Sequence, residues 1–316
     1  MKAVFLDYDT VSNGDLDDSA LRAAVDDLAL CELDDTKTAE RIRGVEIVLL
    51  NKVALSRAQL EGASNLKLVA LAATGTNNID VAAARDLGIA VCNVRGYCTS
   101  SVVQHVWALI LSLTRHVSEY ARLVSNGSWT RHETQTVLSQ PIRELDGRIF
   151  GVVGWGELGS GAARIAEAFG MRVAIANRRG ASPRPDRMEL ERLLAVADIV
   201  SLHCPLNDAT RGLIGARELA LMKSDALLIN TARGALVDGH ALKAALKARR
   251  LGGAGIDVLA HEPPPSDDPL LDPGIPNLIL TPHVAWAARE ARQRCLDEVA
   301  ANIRDFRGGG RRSRVV

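Results

Sequence analysis

Residues 149–159 read IFGVVGWGELG, a short apolar run that leads directly into a turn with three spaced glycines. A continuous apolar run of this length is typical of a strand that is buried on both faces. Beyond the turn, Leu158, Ala162 and Ile165 recur at helical spacing. The segment therefore predicts a strand, a tight turn and a helix, which is the repeating unit of parallel α/β folds.

The turn matches the pattern G-x-G-x-x-G at Gly154, Gly156 and Gly159, with Glu157 and Leu158 between the second and third glycines. Glycines permit a tight turn and close backbone approach, so that amides at the helix N-terminus can bind a pyrophosphate. Because both flanks have the required structure, we predict that these five residues bind a dinucleotide, in preference to a glycine turn without a ligand.

The end of the next predicted strand bears on the choice between NAD and NADP. An acidic residue there binds the ribose hydroxyls of NAD and repels a 2′-phosphate, whereas arginine stabilises that phosphate. This chain has Asn177, Arg178 and Arg179 instead of an acid. Asn177 can still hydrogen-bond a ribose, and two guanidiniums can hold a phosphate dianion. The sequence favours NADP(H) over NAD(H), and two solvated surface arginines are the alternative interpretation.

Composition excludes several classes of protein. With 316 residues, 47% hydrophobic and 24% charged, the chain is expected to fold into about two globular domains. Its 38 basic and 38 acidic side chains cancel, so no general field attracts nucleic acid or an anionic membrane. The five cysteines form no Cys-x-x-Cys pair, and Asp7 interrupts any signal-peptide core. We expect a cytoplasmic protein with reduced thiols and no membrane or nucleic-acid partner.

Strand and helix patterns alternate along most of the chain, which predicts parallel sheets covered by helices. Strands are predicted near residues 3–6, 46–50, 66–71 and 89–92, with helices near 19–28, 57–60 and 81–87. A second sheet of about six strands is predicted near 149–153, 172–176, 198–203, 226–230, 254–257 and 278–280. Between the two sheets we predict one long helix over 101–123 and a polar arm over 127–141; a helix over 286–306 and a loose tail over 308–312 follow.

Three segments resemble the D-isomer-specific 2-hydroxyacid dehydrogenase family: NTARG at 230–234, DVLAHEP at 257–263 and TPHVAW at 281–286. ELDG at 144–147 and ADIVSLHCPL at 197–206 extend the resemblance over nearly the whole chain. It implies an α/β fold with two doubly wound parallel sheets. Residues 100–287 are expected to form a Rossmann cofactor domain, and residues 1–99 and 288–316 a discontinuous, flavodoxin-like substrate domain. The resemblance also implies a homodimer, for which the long helix and the arm suit a two-fold interface.

By this resemblance Arg233, Glu262 and His283 are the catalytic residues. An imidazolium is suited to donating a proton to a keto oxygen, and a neighbouring carboxylate fixes its tautomer and favours its charged form. A guanidinium fork can bind the substrate carboxylate and polarise the ketone. All three residues follow predicted strands, where ligands of doubly wound sheets bind. Taken singly, Arg233 also suits a turn cap and Glu262 an exposed loop acid.

The resemblance assigns further contacts to residues near predicted strand ends. Additional cofactor contacts are expected at His203, Cys204, Pro205, Thr231, Ala232, Asp257 and Ala285. Substrate contacts are expected at Asn51, Ala73, Thr74 and Gly75, together with Arg233 and His283. No further ligands stand at metal-binding spacing around His203 and Cys204, so we predict no metal site.

Within the family, TPHVAW at 281–286 and AATG at 72–75 are most similar to glycerate dehydrogenases, also called hydroxypyruvate reductases. Hydroxypyruvate and glyoxylate are then the expected substrates, giving D-glycerate and glycolate. Formate dehydrogenases of the superfamily carry glutamine where this chain has Glu262. The alternatives are another 2-keto acid reductase, including a short phosphoglycerate dehydrogenase, a dinucleotide-sensing binding protein related to corepressors, and a structural oligomer without turnover. TVL at 136–138 replaces aromatics of the arm and leaves substrate preference open.

Overall fold

The computed structural model describes residues 1–178, 180, 182 and 184–316, and these divide into two compact units. The first unit comprises Met1–Cys98 and Trp286–Val316, and the second comprises Thr99–Ala285. Each boundary lies one or two residues before the one expected from the sequence. Arg179, which the sequence assigns to the cofactor site, lies outside the described residues.

The first unit, described throughout, contains a parallel sheet with strand order β2-β1-β3-β4-β5. Its strands are β1 Lys2–Phe5, β2 Asp27–Leu30, β3 Ile47–Leu50, β4 Leu68–Leu71 and β5 Ala90–Cys92. Its helices are α1 Ser19–Ala24, α2 Thr38–Arg41, α3 Arg57–Glu61, α4 Val81–Asp86 and the C-terminal helix Arg289–Arg307. The order is that of flavodoxin-like sheets, and its direction reverses between β1 and β3. This confirms the predicted fold class for the first unit.

Strand β2 was not predicted. The predicted helix over 19–28 ends at Ala24, where Val25 turns to extended backbone, and Asp27–Leu30 then pairs with β1. β2 lies at the sheet edge, and its side chains alternate between exposed and half-buried. An edge strand with so little buried surface carries a weak apolar pattern, and its pairing with β1 decides its structure.

The chain after the C-terminal helix is held against the first sheet, so the predicted loose tail is wrong. The C-terminal helix packs on α1 and β4. Beyond it, the amide of Val315 donates to the carbonyl of Val91 at 2.7 Å, and the amide of Val91 donates to the carbonyl of Val316 at 3.2 Å. The side chains of Val315 and Val316 pack against the core. These contacts join residues more than 200 positions apart, which local composition does not reveal.

Among the described residues, the second unit has a parallel sheet with strand order β11-β10-β9-β8-β6-β7. Its strands are β6 Ile149–Val153, β7 Arg172–Ile175, β8 Ile199–Leu202, β9 Leu227–Asn230, β10 Gly253–Ile256 and β11 Leu278–Leu280. Its helices are α5 Thr99–Arg115, α6 Val117–Ser125, α7 Glu157–Ala168, α8 Leu190–Val196, α9 Ala216–Leu221 and α10 Gly239–Lys247. The predicted doubly wound, six-stranded Rossmann arrangement is confirmed. No helix in the described ranges is both long and apolar enough to cross a bilayer.

The single helix predicted over 101–123 is in fact two helices. His116 lies between α5 and α6 with φ of 50°, in the left-handed region that ends an α-helix. Its amide still donates to the carbonyl of Ser112, so the break occurs at one residue. A non-glycine residue with this backbone is not recognisable from apolar spacing. Residues 127–141 form turns and irregular structure, without a helix or strand.

Trp107 fixes helix α5 against the strand and helix around the glycine turn. Its ring stacks on Phe150 of β6 and on Phe169 after α7, with centroids 5.6 and 5.0 Å apart. Its indole nitrogen donates to the carbonyl of Ala162 at 3.1 Å. A Cβ at Gly161 would lie 2.9 Å from a methyl group of α5, so the small residue permits this close packing. The position of α7, and of the turn before it, is thereby set.

Candidate active site

The three glycines of the turn between β6 and α7 have different surroundings. A Cβ at Gly154 would overlap the backbone of His203 and Cys204, and one at Gly159 would overlap the carbonyl of Gly154. Nothing lies within 4 Å of a Cβ at Gly156, the residue that precedes α7. Gly154 and Gly159 thus allow close packing, and Gly156 leaves open space at the helix N-terminus. These are the roles that glycines have around a bound pyrophosphate.

Three features next to this open space fit a dinucleotide. No side chain in the described structure caps the N-terminus of α7, so its first amides remain available to an anion. Nδ1 of His203 and Oγ1 of Thr231 are buried and have no hydrogen-bond partner among the described residues. These side chains follow β8 and β9, at the carboxyl edge of the same sheet. Buried polar atoms are costly to leave unpaired, and a polar ligand at this edge would satisfy them.

The segment after β8 contains two side chains that stay uncharged at neutral pH. The other ring nitrogen of His203, Nε2, lies 2.9 Å from the hydroxyl of Ser201. Burial lowers the pKa of His203 to about 4 and raises that of the Cys204 thiol. The predicted contacts His203 and Cys204 therefore provide neutral surfaces, and Pro205 after them is exposed.

The segment after β7 is closed by hydrogen bonds of Asn177. Its Nδ2 donates to Glu189 at 2.8 Å, and its Oδ1 accepts the amide of Arg184 at 3.2 Å. Its own amide donates to the carbonyl of Met188 at 2.7 Å. Arg178 is exposed. Sequence reasoning missed Glu189, since nothing in the residues near Asn177 indicates that a carboxylate twelve positions later lies against it.

Glu262 and His283 are in direct contact. One oxygen of Glu262 lies 2.5 Å from Nδ1 of His283, and the other accepts the amide of Leu259 at 2.9 Å. The carboxylate is therefore fixed by the backbone while it orients the imidazole. The two side chains are 33% and 27% exposed, so a small substrate can reach them. This pair has the geometry of an oriented acid–base group.

Asp257, buried at the end of β10, holds the loop that carries His283. One of its oxygens accepts the Thr281 hydroxyl at 2.6 Å and the Val284 amide at 2.9 Å, and the other accepts the Ala285 amide at 2.9 Å. The carbonyl of Asp257 accepts the amide of His283 at 2.8 Å. His283 has φ of 56°, in the left-handed region. Such a backbone persists where surrounding contacts over-determine it, and Asp257 supplies those contacts.

Arg233 lies at the neighbouring strand end, three residues after β9. Its Nη1 donates to the carbonyl of Ala232 at 2.7 Å, and its own carbonyl accepts Nδ2 of Asn230 at 2.9 Å. A Cβ at Gly234 would overlap the backbone of Leu259, so only glycine allows this approach. Since β9, β10 and β11 are adjacent, Arg233, Glu262 and His283 share one edge of the sheet.

The predicted substrate contacts Asn51, Ala73, Thr74 and Gly75 belong to the first unit. Asn51 is buried after β3, and its Nδ2 donates to the hydroxyl of Thr10 at 3.0 Å. The hydroxyl of Thr74 donates to the carbonyl of Val94 at 2.7 Å, and the Ala73 carbonyl accepts the Val94 amide at 3.0 Å. The amides of Thr74 and Gly75 donate to no other described residue. They fit the expected binding of a carboxylate by backbone amides.

Comparison with known proteins identifies relatives of this arrangement. A family model for the NAD binding domain of D-isomer specific 2-hydroxyacid dehydrogenases matches residues 107–285. The matched range includes the glycine turn, Arg233, Glu262 and His283.

Similar proteins include a glycerate dehydrogenase of Methylorubrum extorquens, 43% identical over 270 residues that cover 85% of each chain. A hydroxypyruvate reductase of Blautia hydrogenotrophica is 35% identical over 318 aligned positions, which cover 98% of each chain. Among solved structures, the TT0316 protein from Thermus thermophilus is 33% identical and aligns over 100% of both chains with a TM-score of 0.87. Known proteins therefore share the sequence and the fold of this chain along nearly its full length.

Proposed function

The chain belongs to the D-isomer-specific 2-hydroxyacid dehydrogenase family and is an NAD(P)-dependent oxidoreductase, and on that premise we propose that it reduces hydroxypyruvate and glyoxylate, with NADPH as the preferred cofactor. The products are D-glycerate and glycolate. The contact between Glu262 and His283 carries the proposal, because it provides an oriented proton donor at the same edge of the sheet as Arg233. The relatives named glycerate dehydrogenase and hydroxypyruvate reductase support this choice of substrates.

Reduction of a 2-keto acid adds one hydride to the carbonyl carbon and one proton to its oxygen. The glycine turn and the N-terminus of α7 would hold a nicotinamide dinucleotide, which would supply the hydride. His283 donates the proton from Nε2, since Nδ1 is engaged by Glu262. The carboxylate of Glu262 stabilises the imidazolium before transfer. Arg233 holds the substrate carboxylate with its guanidinium fork and polarises the carbonyl.

We further propose that the first unit contributes to substrate binding. The amides of Thr74 and Gly75 donate to the substrate carboxylate, and Ala73 and Asn51 shape the surroundings of that group. These amides suit the task because they donate to no other described residue and their loop is fastened to Val94. Backbone amides held by such contacts need little reorganisation when an anion binds.

The preference for NADPH is assigned to Arg178 and Arg179. No acid directly follows β7, and Arg178 is exposed and able to bind a 2′-phosphate. Glu189, which accepts a hydrogen bond from Asn177, places one carboxylate in the same segment. Because an acidic residue at this position favours NAD, the affinities for both NADPH and NADH need to be measured. Thr231, Ala232, Asp257 and Ala285 at the ends of β9, β10 and β11 complete the proposed cofactor site.

A homodimer remains part of this proposal. Helix α6, the arm over 127–141 and the residue directly after the arm expose a group of large apolar side chains, which suits an interface. These are Val117, Val124, Trp129, Leu138 and Ile142. Sedimentation at the monomer mass across micromolar concentrations would reject the dimer. We also propose a cytoplasmic location, in line with the five free cysteines.

Incubation of the pure protein with NADPH and hydroxypyruvate tests the central claim. We expect the absorbance of the reduced cofactor to fall in proportion to the D-glycerate formed. A protein that binds NADPH without turning over any 2-keto acid would instead be a dinucleotide-sensing protein or a structural oligomer. The His283→Ala variant serves as the control for activity carried by a contaminating reductase.

A further inference from the structure

The carboxyl edge of the first sheet holds one lysine in a fixed place. Asp7, fully buried after β1, accepts the backbone amides of Asn51, Lys52 and Val53 at 2.9, 2.5 and 2.9 Å. Desolvation raises the pKa of this carboxyl, and the three amides oppose that effect. Three hydrogen bonds to one carboxylate fix the backbone path of residues 51–53.

The side chain of Lys52 is placed by Trp286. The Lys52 ammonium lies 5.8 Å from the centroid of the indole ring, within the range of a cation–π interaction. The indole in turn packs edge-on against Tyr97, with ring centroids 6.5 Å apart. Lys52 is nonetheless exposed. Its ammonium is thus held in position and still reachable by a ligand.

This lysine stands where ligands bind in sheets of this topology. Strand order reverses between β1 and β3, and Asp7 and Lys52 follow those two strands. Crevices at the carboxyl ends of strands beside such a reversal are the usual ligand sites of open α/β sheets. The loop with Thr74 and Gly75 follows β4, the next strand. Neighbouring strands are about 4.8 Å apart, which is comparable to the length of a three-carbon acid.

We propose that Lys52 is a specificity-determining residue that donates a hydrogen bond to a hydroxyl on the third carbon of the 2-keto acid. The inference rests on the proposed function, in which the amides after β4 bind the first-carbon carboxylate. Lys52, after the adjacent strand, then meets the other end of a three-carbon substrate. Hydroxypyruvate has a hydroxyl at that carbon, whereas glyoxylate has no third carbon. Lys52 therefore favours hydroxypyruvate over glyoxylate.

The test compares Lys52→Met with the unaltered protein on both substrates, under saturating NADPH. Loss of a hydrogen bond to a charged donor lowers kcat/KM for hydroxypyruvate by about 10- to 100-fold, chiefly through KM. The kcat/KM for glyoxylate changes less than about two-fold. Lys52→Arg retains part of the hydroxypyruvate activity, because it keeps a cationic donor. Lys67→Met is the matched control, since Lys67 is an exposed lysine of the same unit that pairs with Glu46.

Equal losses on hydroxypyruvate and glyoxylate would overturn the inference, because Lys52 would then bind the carboxylate that both substrates share. Unchanged kinetics on both substrates would also overturn it. Absence of turnover of either substrate by the unaltered protein would instead refute the proposed function. Thermal unfolding of Lys52→Met at the temperature of the unaltered protein verifies that the exposed substitution leaves the fold intact.

Discussion

Two regions at the carboxyl edge of the second sheet, the loops after β10 and β11 and the segment after β7, hold their proposed site residues with very different rigidity. After β10 and β11, buried Asp257 accepts three hydrogen bonds from the loop of His283, and Glu262 is fixed by the Leu259 amide. After β7, Arg178 is exposed, and the neighbouring Arg184–Asp186 pair is more than half exposed on both sides.

The difference agrees with the roles that we propose for the two regions. Proton transfer requires a donor held in one geometry, because small displacements of a reacting group cost much of the rate. Recognition of a phosphate by guanidiniums tolerates movement, since a charge attracts over a longer range than a hydrogen bond. Mutations in the loops after β10 and β11 are therefore expected to cause a large loss of turnover. Mutations in the segment after β7 are expected to change the selectivity between NADPH and NADH.

The largest effect on activity is expected in the loops after β10 and β11. The His283→Ala variant should lower turnover by roughly 100-fold or more, the usual scale for a positioned acid–base group. Its dissociation constant for NADPH should stay nearly unchanged, because the glycine turn is untouched. Stopped-flow kinetics and a binding titration separate the two quantities. His240→Ala, at an exposed position on α10, is the control. Wild-type turnover in His283→Ala would refute the mechanism.

Mutations in the segment after β7 should change the selectivity between NADPH and NADH. The double variant Arg178→Ala, Arg179→Ala should lose about 2 to 4 kcal/mol of NADPH binding, because two charge-assisted contacts vanish. Binding of NADH should change far less. Arg217→Ala, another exposed arginine of the second unit, provides the matched control. Equal losses for both cofactors, or a preference of the unaltered protein for NADH, would show that the two arginines are only surface charges.

The free energy of unfolding is expected to depend on pH through His203, which follows β8. Its pKa is about 4 in the folded protein and ~6.5 in an unfolded chain, so the unfolded chain takes up the proton first as pH falls. The free energy of unfolding should therefore drop by up to about 3 kcal/mol between pH 6.5 and 4 through this residue.

Urea unfolding at several pH values, for the unaltered protein and His203→Gln, measures that contribution. The glutamine variant should lose less stability over the same pH interval. His240→Gln, at an exposed histidine, should retain the full dependence. An identical pH slope in His203→Gln and the unaltered protein would contradict the assignment of a neutral His203 with a lowered pKa.

A finer effect is expected from Glu262→Gln, which keeps the shape of the pair and removes its charge. Without the carboxylate the proton donor His283 loses its charged partner, so the rate of ketone reduction should fall, though less than in His283→Ala. The dissociation constant for NADPH should stay nearly unchanged. Single-turnover kinetics with hydroxypyruvate measure the chemical step. An unchanged rate of that step would show that the charge of Glu262 does not act on the proton donor.

The local sequence was sufficient to predict much of this structure. Strands β6 and β11 have the predicted bounds, because each is a continuous apolar run bounded by turn residues. The glycine turn could also be predicted from the sequence, since each glycine meets a steric requirement of the backbone at its own position. For Glu262 and His283 the motifs indicated the residues, and the fold brought together side chains 21 positions apart.

Other features depended on contacts between distant segments. Edge strand β2 forms through pairing with β1, and the chain end at Val315 forms through pairing with Val91. The left-handed backbone at His116 breaks a helix that apolar spacing predicts to be continuous. Asp7 fixes the turn at Lys52, 45 positions along the chain, in the same way. Such structure arises because hydrogen bonds and packing across the fold outweigh the small conformational preferences of individual residues.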